Sequence, residues 1–193
     1  MASLKGSQTE KNLLTAFAGE SQARNRYTFA ASTAKKEGYV KISKVWEETA
    51  AQEKEHAERL FKFLEGGDVT IEAAFPAGIP GGTVELLTAA AAGEHHEWTE
   101  MYPAFSKVAA DEGFAEISQC MKHIAVAEHY HENRFNDFID ELKNGTYFKS
   151  EQPIVWRCLN CGYIHEGKEP PQKCPACAHP VDYFEALFHV VKP

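Results

Sequence analysis

The sequence is short of positive charge. Its 20 Lys and Arg face 28 Asp and Glu, a formal balance of −8 over 193 residues. From Glu151 onward there are four basic and five acidic residues, so −7 of that balance falls in the first 150 positions. An acidic chain without a basic stripe argues against nucleic acid as a partner. Long apolar runs are also missing. The longest small-apolar stretch, LLTAAAAG from Leu86, is far short of the roughly 20 residues that span a bilayer, so no membrane segment is expected. The opening stretch MASLKGSQTEKN has no apolar core of a signal peptide, and a cytoplasmic protein is the expectation. Cysteines are few. Four of the five form two CxxC pairs and Cys120 is left over, which suits a reducing compartment better than a disulfide framework.

What is present begins with four long helical patterns, at residues Thr9 to Glu37, Val40 to Glu65, Val84 to Asp111 and Phe114 to Lys143. Gly38, Gly66-Gly67 and Asn144-Gly145 supply stop signals, and Pro103 predicts a kink in the third helix. Between the second and third lies DVTIEAAFPAGIPGG, too long for a tight turn and read as a crossover. Two helix pairs with one long connection is the connectivity of ferritin-like four-helix bundles. After Tyr147 the helical period vanishes, and a proline-rich segment with short β-branched runs predicts a small domain of strands and turns. The expected division is 1–147 for the bundle and 148–193 for the tail.

The bundle repeats itself in its polar residues. Glu20 precedes Glu53 and His56, and Glu94 precedes Glu128 and His131, with gaps of 33 and 34 residues and the same Glu-x-x-His spacing. On the fourth helix the apolar stripe runs through positions 121, 124, 128, 131, 135, 138 and 142, so Glu128 and His131 stand where leucines would pack. The first helix places Glu20 and Tyr27 on its stripe, the second Glu53 and His56, and the third Glu94, Glu97 and Met101. A buried carboxylate must be paired, protonated or metal-bound. Five carboxylates and two imidazoles converge here, while Arg24, Arg26, Arg59 and Arg134 lie off the stripes. Two cations solve the charge problem, and oxygen-rich sites with one His each suit iron or manganese better than zinc. Exposed charges on Glu-rich helices would be the plain alternative, but seven positions matched over four helices argue against it.

Glu97 departs from the repeat. It is a carboxylate beyond the six ligands of a di-iron carboxylate bundle, and it and His56 are natural competitors for one metal; the alternative is that it accepts a hydrogen bond from a group behind the ligands. His95, His96, His129, Glu55 and Glu58 fall off the stripes and are expected at the solvated surface, and Cys120 is expected to be a buried structural thiol. In the tail, Cys158, Cys161, Cys174 and Cys177 form two CxxC knuckles separated by 12 residues, a tetrahedral four-thiolate site for zinc or iron. Trp156, Tyr163, Tyr183 and Phe184 are candidates for a small core around it, and a domain of about 40 residues needs such a metal to fold.

With Glu20, EKEH, EHHE, EHYH, CLNCGY and CPAC in place, the chain resembles the rubrerythrins: a ferritin-like di-iron bundle followed by a rubredoxin-like iron domain. The resemblance implies two iron ions in an oxo- and carboxylate-bridged site, one iron in the four-cysteine site, and exchange of Glu97 with His56 on one iron. It also implies that Tyr27 and Tyr102 hydrogen-bond near the di-iron ligands. The implied activity is reduction of hydrogen peroxide to water, with electrons from a donor such as rubredoxin or a pyridine-nucleotide reductase, in a head-to-tail homodimer or higher homo-oligomer. Iron oxidation by dioxygen, as in ferritins, is the competing function, and a structural di-metal core with zinc in the tail is a third. The tail departs from free-standing rubredoxins in its shorter gap between knuckles and in Ala178, where they usually carry Gly.

Overall fold

The computed structural model describes residues 3–78 and 81–187. The first long pattern forms helix α1, Gln8–Lys36, whose start is a variant of the capping box: the N-cap Ser7 accepts from the Glu10 N–H, and the Glu10 carboxylate reaches one residue further back, accepting from the Gly6 N–H at 2.7 Å. Helix α2, Val40–Phe61, follows after a turn in which Gly38 has φ +88°. It ends four residues before the expected Glu65, where the Phe63 and Leu64 N–H groups tighten onto the carbonyls of Leu60 and Phe61 ahead of the left-handed Gly66 and Gly67; the Glu65 carboxylate then accepts from the Leu4 N–H and ties the N-terminal segment down.

The third pattern is not one kinked helix. It comprises α3, Thr83–His96, a π-helical turn, Glu97–Met101, and α4, Tyr102–Asp111. Pro103 has no N–H to donate to the carbonyl of Thr99, and the Tyr102 N–H reaches back five residues to Glu97. The turn takes in one extra residue, so the inward face moves on by one position. Tyr102, Ser106 and Ala109 are buried, where an unbroken helix would have placed Met101. Helix α5, Ala115–Lys143, buries Met121, Ile124, Glu128, His131, Phe135 and Phe138, as its stripe predicts.

Helix α1 packs along α2, and α3 with α4 pack along α5, with the connection between the pairs lacking helix or strand among its described residues. This is the ferritin-like bundle with one long crossover. Apolar layers lie on both sides of the polar seam. One is built on Trp46, Leu87 and Phe135, the other on Leu13, Leu60 and Met121. They are rigid walls that hold the carboxylates between them.

The tail is a three-stranded antiparallel sheet of order β2-β1-β3, with β1 Ile154–Cys158, β2 Ile164–Gly167 and β3 Phe184–Leu187. Trp156 and Phe184 are buried with Cys158 and Cys174, and Tyr163 and Tyr183 pack against them, which is the expected small core. The tail meets the bundle at the α1–α2 turn. A Cβ on Gly38 would come within 3.1 Å of the Asp182 side chain, so Gly38 serves both the left-handed turn and this close approach.

Candidate metal centres

Each helix brings its seam residue to mid-length, and the bundle gathers them into two clusters. Glu20, Glu53, His56 and Glu128 form one; Glu53, Glu94, Glu128 and His131 form the other, and within each the ligand atoms lie within 4.8 Å of one another. Glu53 and Glu128 belong to both, as carboxylates bridging two cations would. The two imidazoles face inward through the same atom. His56 Nδ1 is 2.9 Å from Glu128 Oε1 and 3.1 Å from Glu53 Oε2, and His131 Nδ1 is 2.8 Å from Glu128 Oε2 and 3.1 Å from Glu53 Oε1.

These short distances do not satisfy the cage. Both Glu128 oxygens, Glu53 Oε1, Glu20 Oε2 and His131 Nδ1 are buried with no hydrogen-bond partner. Orphaned buried acceptors that converge on shared points fit cations and little else. Arg59 and Arg134 turn away, to Glu116 and Glu48. With protons alone to neutralise it, the cage shows the conflict. Burial, followed by the charge of Glu128, raises the carboxyl of Glu20 well above its usual range, and burial with Glu53 and Glu128 does the same for Glu94. Burial also acts on Glu53, but His131 and His56 outweigh it and hold that carboxyl down at about 2. Burial would lower both imidazoles, yet the carboxylates around them dominate: His56 is raised, and His131 is raised to about 9.

The supports around the clusters are specific. Tyr27 donates its hydroxyl proton to Glu94 Oε1, and Tyr102 donates to Glu20 Oε1, so each outer carboxylate has one oxygen fixed by a phenol. His131 turns its other nitrogen to Gln52 Oε1 at 2.9 Å, and Gln52 donates to Glu48, the partner of Arg134. That contact sets the imidazole tautomer so that Nδ1 is left as the metal-facing lone pair. Gln52 was invisible in the sequence, since a Gln beside a seam Glu is ordinary helix surface; its spacing from Glu48 is the only trace.

Glu97 stands apart. It is half-buried on the π-helical turn and belongs to neither cluster, while His56 belongs to one. Burial, then Glu128 and Glu53, push its carboxyl up to about 8. His95, His96, His129, Glu55 and Glu58 are exposed as expected, although His95 and Trp98 both meet Glu132 and His129 stacks on Trp98. Cys120 corrects an expectation. It is half-buried and not fully enclosed, because it lines a 450 Å³ cavity with His56, Arg59 and His123.

In the tail, the four thiols stand as one group. Cys158 Sγ is 3.8 Å from Cys177 Sγ, and Cys161 Sγ is 3.7 Å from Cys174 Sγ. A tetrahedron with metal–sulfur bonds of ~2.3 Å has edges of ~3.8 Å, so the separation fits. The knuckles are related by their backbones. Gly162 N–H donates to Cys158 O at 2.8 Å, and Ala178 N–H donates to Cys174 O at 2.9 Å. Gly162 has φ +77° and Ala178 φ +61°, so the departure noted at Ala178 is an alanine in a left-handed position. The backbone N–H of His179 lowers the Cys177 thiol to about 6, toward the thiolate a metal requires.

Comparison with known proteins agrees with both halves. The family described as Rubrerythrin matches residues 11–139, and the one described as Rubrerythrin, rubredoxin-like domain matches residues 156–185. Rubrerythrin of Nitratidesulfovibrio vulgaris (strain Hildenborough) is 62% identical over 187 residues, 97% of this chain and 98% of that protein. Rubrerythrin of Porphyromonas gingivalis is 57% identical, over 96% of this chain and 92% of its own length. Among solved structures, fully reduced, all-ferrous nigerythrin superposes with a TM-score of 0.62 at 30% identity, over 95% of this chain and 91% of that one. Symerythrin from Cyanophora paradoxa, at 20% identity and a TM-score of 0.62, shares the fold. The two clusters of buried, unpartnered carboxylates and the four-thiol site thus lie within the two segments that these family descriptions match, and this chain belongs to the rubrerythrin family.

Proposed function

We propose that the protein is a cytoplasmic peroxidase that reduces hydrogen peroxide to water, drawing electrons through its four-cysteine iron. The observation that carries this reading is the pairing, in one chain, of two clusters sharing Glu53 and Glu128 with a four-thiol site. A ferritin-type iron oxidase has no use for the second site. Glu20, Glu53, His56 and Glu128 would hold one iron, Glu53, Glu94, Glu128 and His131 the other, and Cys158, Cys161, Cys174 and Cys177 the third. When bound, a ferrous pair supplies two electrons together, enough to cleave the O–O bond without releasing hydroxyl radical.

The protein's own residues do the rest. The cavity at His56, which Arg59, Cys120 and His123 also line, offers a small solute a way to the seam. Tyr27 and Tyr102 keep Glu94 and Glu20 from swinging as charge changes. Glu97 and His56 would be alternative ligands to one ion, the neutral imidazole suiting the lower charge state and the Glu97 carboxylate the higher one. While outside both clusters, the Glu97 carboxyl is placed to carry a proton to the departing oxygen. In the tail, Cys161 is exposed while Cys158 and Cys174 are buried, so an external donor such as rubredoxin or a pyridine-nucleotide reductase would meet the Cys161 edge. A head-to-tail homodimer would bring one chain's tail to the other's bundle.

The test is anaerobic stopped-flow of reduced, metal-assayed protein against hydrogen peroxide and against dioxygen, followed by visible absorption of both centres. Peroxide should oxidise them far faster. Oxygen acting as fast or faster would move the function to a ferroxidase. Cys158→Ser should leave oxidation of the bundle by peroxide intact and stop donor-driven turnover; full steady-state activity in that variant would end the relay.

A further inference from the structure

On the second helix pair, the seam residues have neighbours one position along that also meet. Glu94 and Glu97 stand three apart where α3 passes into the π-helical turn, and Glu128 and His131 stand three apart on α5. Moving each pair on by one residue gives His95 with Trp98, and His129 with Glu132. Residues three apart share a helix face, and these two pairs close on each other beside the metal seam. The Trp98 indole N–H donates to Glu132 Oε2, and His95 Nδ1 stands 3.1 Å from Glu132 Oε1. The Trp98 ring stacks on His129 with centroids 4.3 Å apart, and His95 meets the same indole edge-on at 5.5 Å.

The first helix pair has no such clasp. One residue beyond Glu53 and His56 stand Lys54 and Ala57, and Lys54 turns to Glu55 and Glu58 of its own helix. The clasp is thus confined to the half of the bundle that carries the surplus carboxylate, and Glu97 lies between two of its members, His95 and Trp98. It also docks the start of the turn. No residue of Glu97–Met101 is fully buried. Met101 packs against the Leu13 and Met121 layer at the far end, Thr99 bonds back to the His95 carbonyl at 2.6 Å, and Glu100 faces His96. Among the described residues, Trp98 is the one member of the turn whose side chain hydrogen-bonds to another helix. π-Helical turns are rare and gather at functional sites, and one without a buried residue needs such a hold.

We propose that Trp98 and Glu132 position Glu97: the clasp fixes the backbone of the turn, so that the Glu97 carboxylate changes place by side-chain rotation about a fixed Cα. Neither residue touches a reacting group, and both act through Glu97. The kinetic consequence rests on the swap between Glu97 and His56 proposed above, whereas the docking of the turn does not.

Amide hydrogen exchange of the metal-loaded full chain, read over residues 97–102, tests the docking. Trp98→Phe keeps a ring over His129 and loses the donor, and Glu132→Ala removes the acceptor. Each should speed exchange in that segment, which includes the Tyr102 N–H bonded to the Glu97 carbonyl, by about tenfold or more, the range of a charge-assisted hydrogen bond. Helix α1 should be unaffected. Glu132→Gln keeps an acceptor for Trp98 and should restore slow exchange. Peroxide kinetics test the coupling. Glu132→Ala should lower kcat by about tenfold, the lower end of losses for outer partners of a metal site. KM should stay the same, because the cavity at His56 holds none of the clasp residues. In a Glu97→Ala background the same substitution should add no further loss. Unchanged exchange in both variants, acceleration spread equally over α1, or a loss that simply adds to that of Glu97→Ala would each overturn the proposal. Parental kinetics in Glu97→Ala would overturn the swap between Glu97 and His56 itself, while the amide rates still decide whether the clasp docks the turn.

Discussion

The bundle and the tail both gather metal ligands, but by opposite means. In the tail the four cysteines lie between positions 158 and 177, and each knuckle is shaped by its own backbone hydrogen bonds. The core behind them is little more than Trp156 and Phe184. In the bundle the groups run from Glu20 to His131 and come from four helices, held apart and aligned by apolar layers that include Trp46, Phe135, Leu60 and Met121. The tail is therefore organised by its metal, whereas the bundle is organised by its core and endures a metal site inside it. A local site tolerates little variation in ligand; a long-range one leaves room for a surplus carboxylate.

Removing all metal should break this comparison open most visibly. The tail's amide resonances should collapse toward those of an unfolded chain, because a domain this small has too little core to stand alone. The far-UV circular dichroism of the bundle should persist. A tail that stays folded without metal would mean that its aromatic core suffices and that the two regions are built alike.

Glu97→Ala sharpens the other side. Glu97 carries no structural contact in the clusters and sits half-exposed, so thermal stability should hardly change while peroxide turnover falls by about 10–100-fold, the usual loss when a group supporting a metal site is removed. Unchanged kinetics would remove Glu97 from the mechanism.

The metal-free bundle should also respond to pH in a way the tail does not. Glu97 is raised to about 8 and His131 to about 9 in the fold. The folded state then binds more protons than the unfolded chain above about pH 4.5 for Glu97 and above about pH 6.5 for His131. The stability each contributes is full below those values and lost as pH rises through 8 and 9. Melting temperature of the metal-free bundle should therefore fall between pH 6 and 9, and the metal-loaded protein, whose cations replace those protons, should show a flatter profile. A metal-free bundle that gains stability over that window would contradict the charge conflict inferred for the cage.

The smallest effect belongs to Ala178. A left-handed alanine costs roughly 1–2 kcal/mol, and glycine returns about 0.5–1 of that to the unfolded chain. Ala178→Gly should thus stabilise the metal-loaded tail by about 0.5–1 kcal/mol in denaturant unfolding. A loss of stability would show that the alanine methyl has packing value in the second knuckle.

The sequence was most legible where chemistry conflicts with burial. A Glu or His on an apolar stripe can be read at once, and the paired Glu-x-x-His motifs and the CxxC knuckles led to the ligand-type groups that the fold brings together. It was least legible at residues whose role depends on a neighbour distant in the chain. Gln52 looks like surface until His131, 79 positions away, points its Nε2 at it. Cys120 looked buried because it adjoins Met121, but the cavity beside His56 leaves it half-open. Trp46 sits on its predicted stripe, and only the enclosed structure reveals that its indole N–H lacks an acceptor.

The sequence by itself determined the inward faces of the helices without an interruption, the two-pair connectivity, the charge problem at the seam and the four-thiol knuckles, because each follows from local periodicity or fixed short spacing. Only the tertiary structure decided which carboxylates are shared, that Glu97 stays outside while His56 stays in, and that Tyr102 reaches Glu20. The last case shows the reason. An unbroken helix through Pro103 would turn Met101 inward, but the missing proline N–H lets the backbone take in one more residue as a π-helical turn. That single added residue rotates every later side chain by about 100°. Periodicity cannot foresee such a slip, since the bundle chooses it to satisfy groups that lie on other helices.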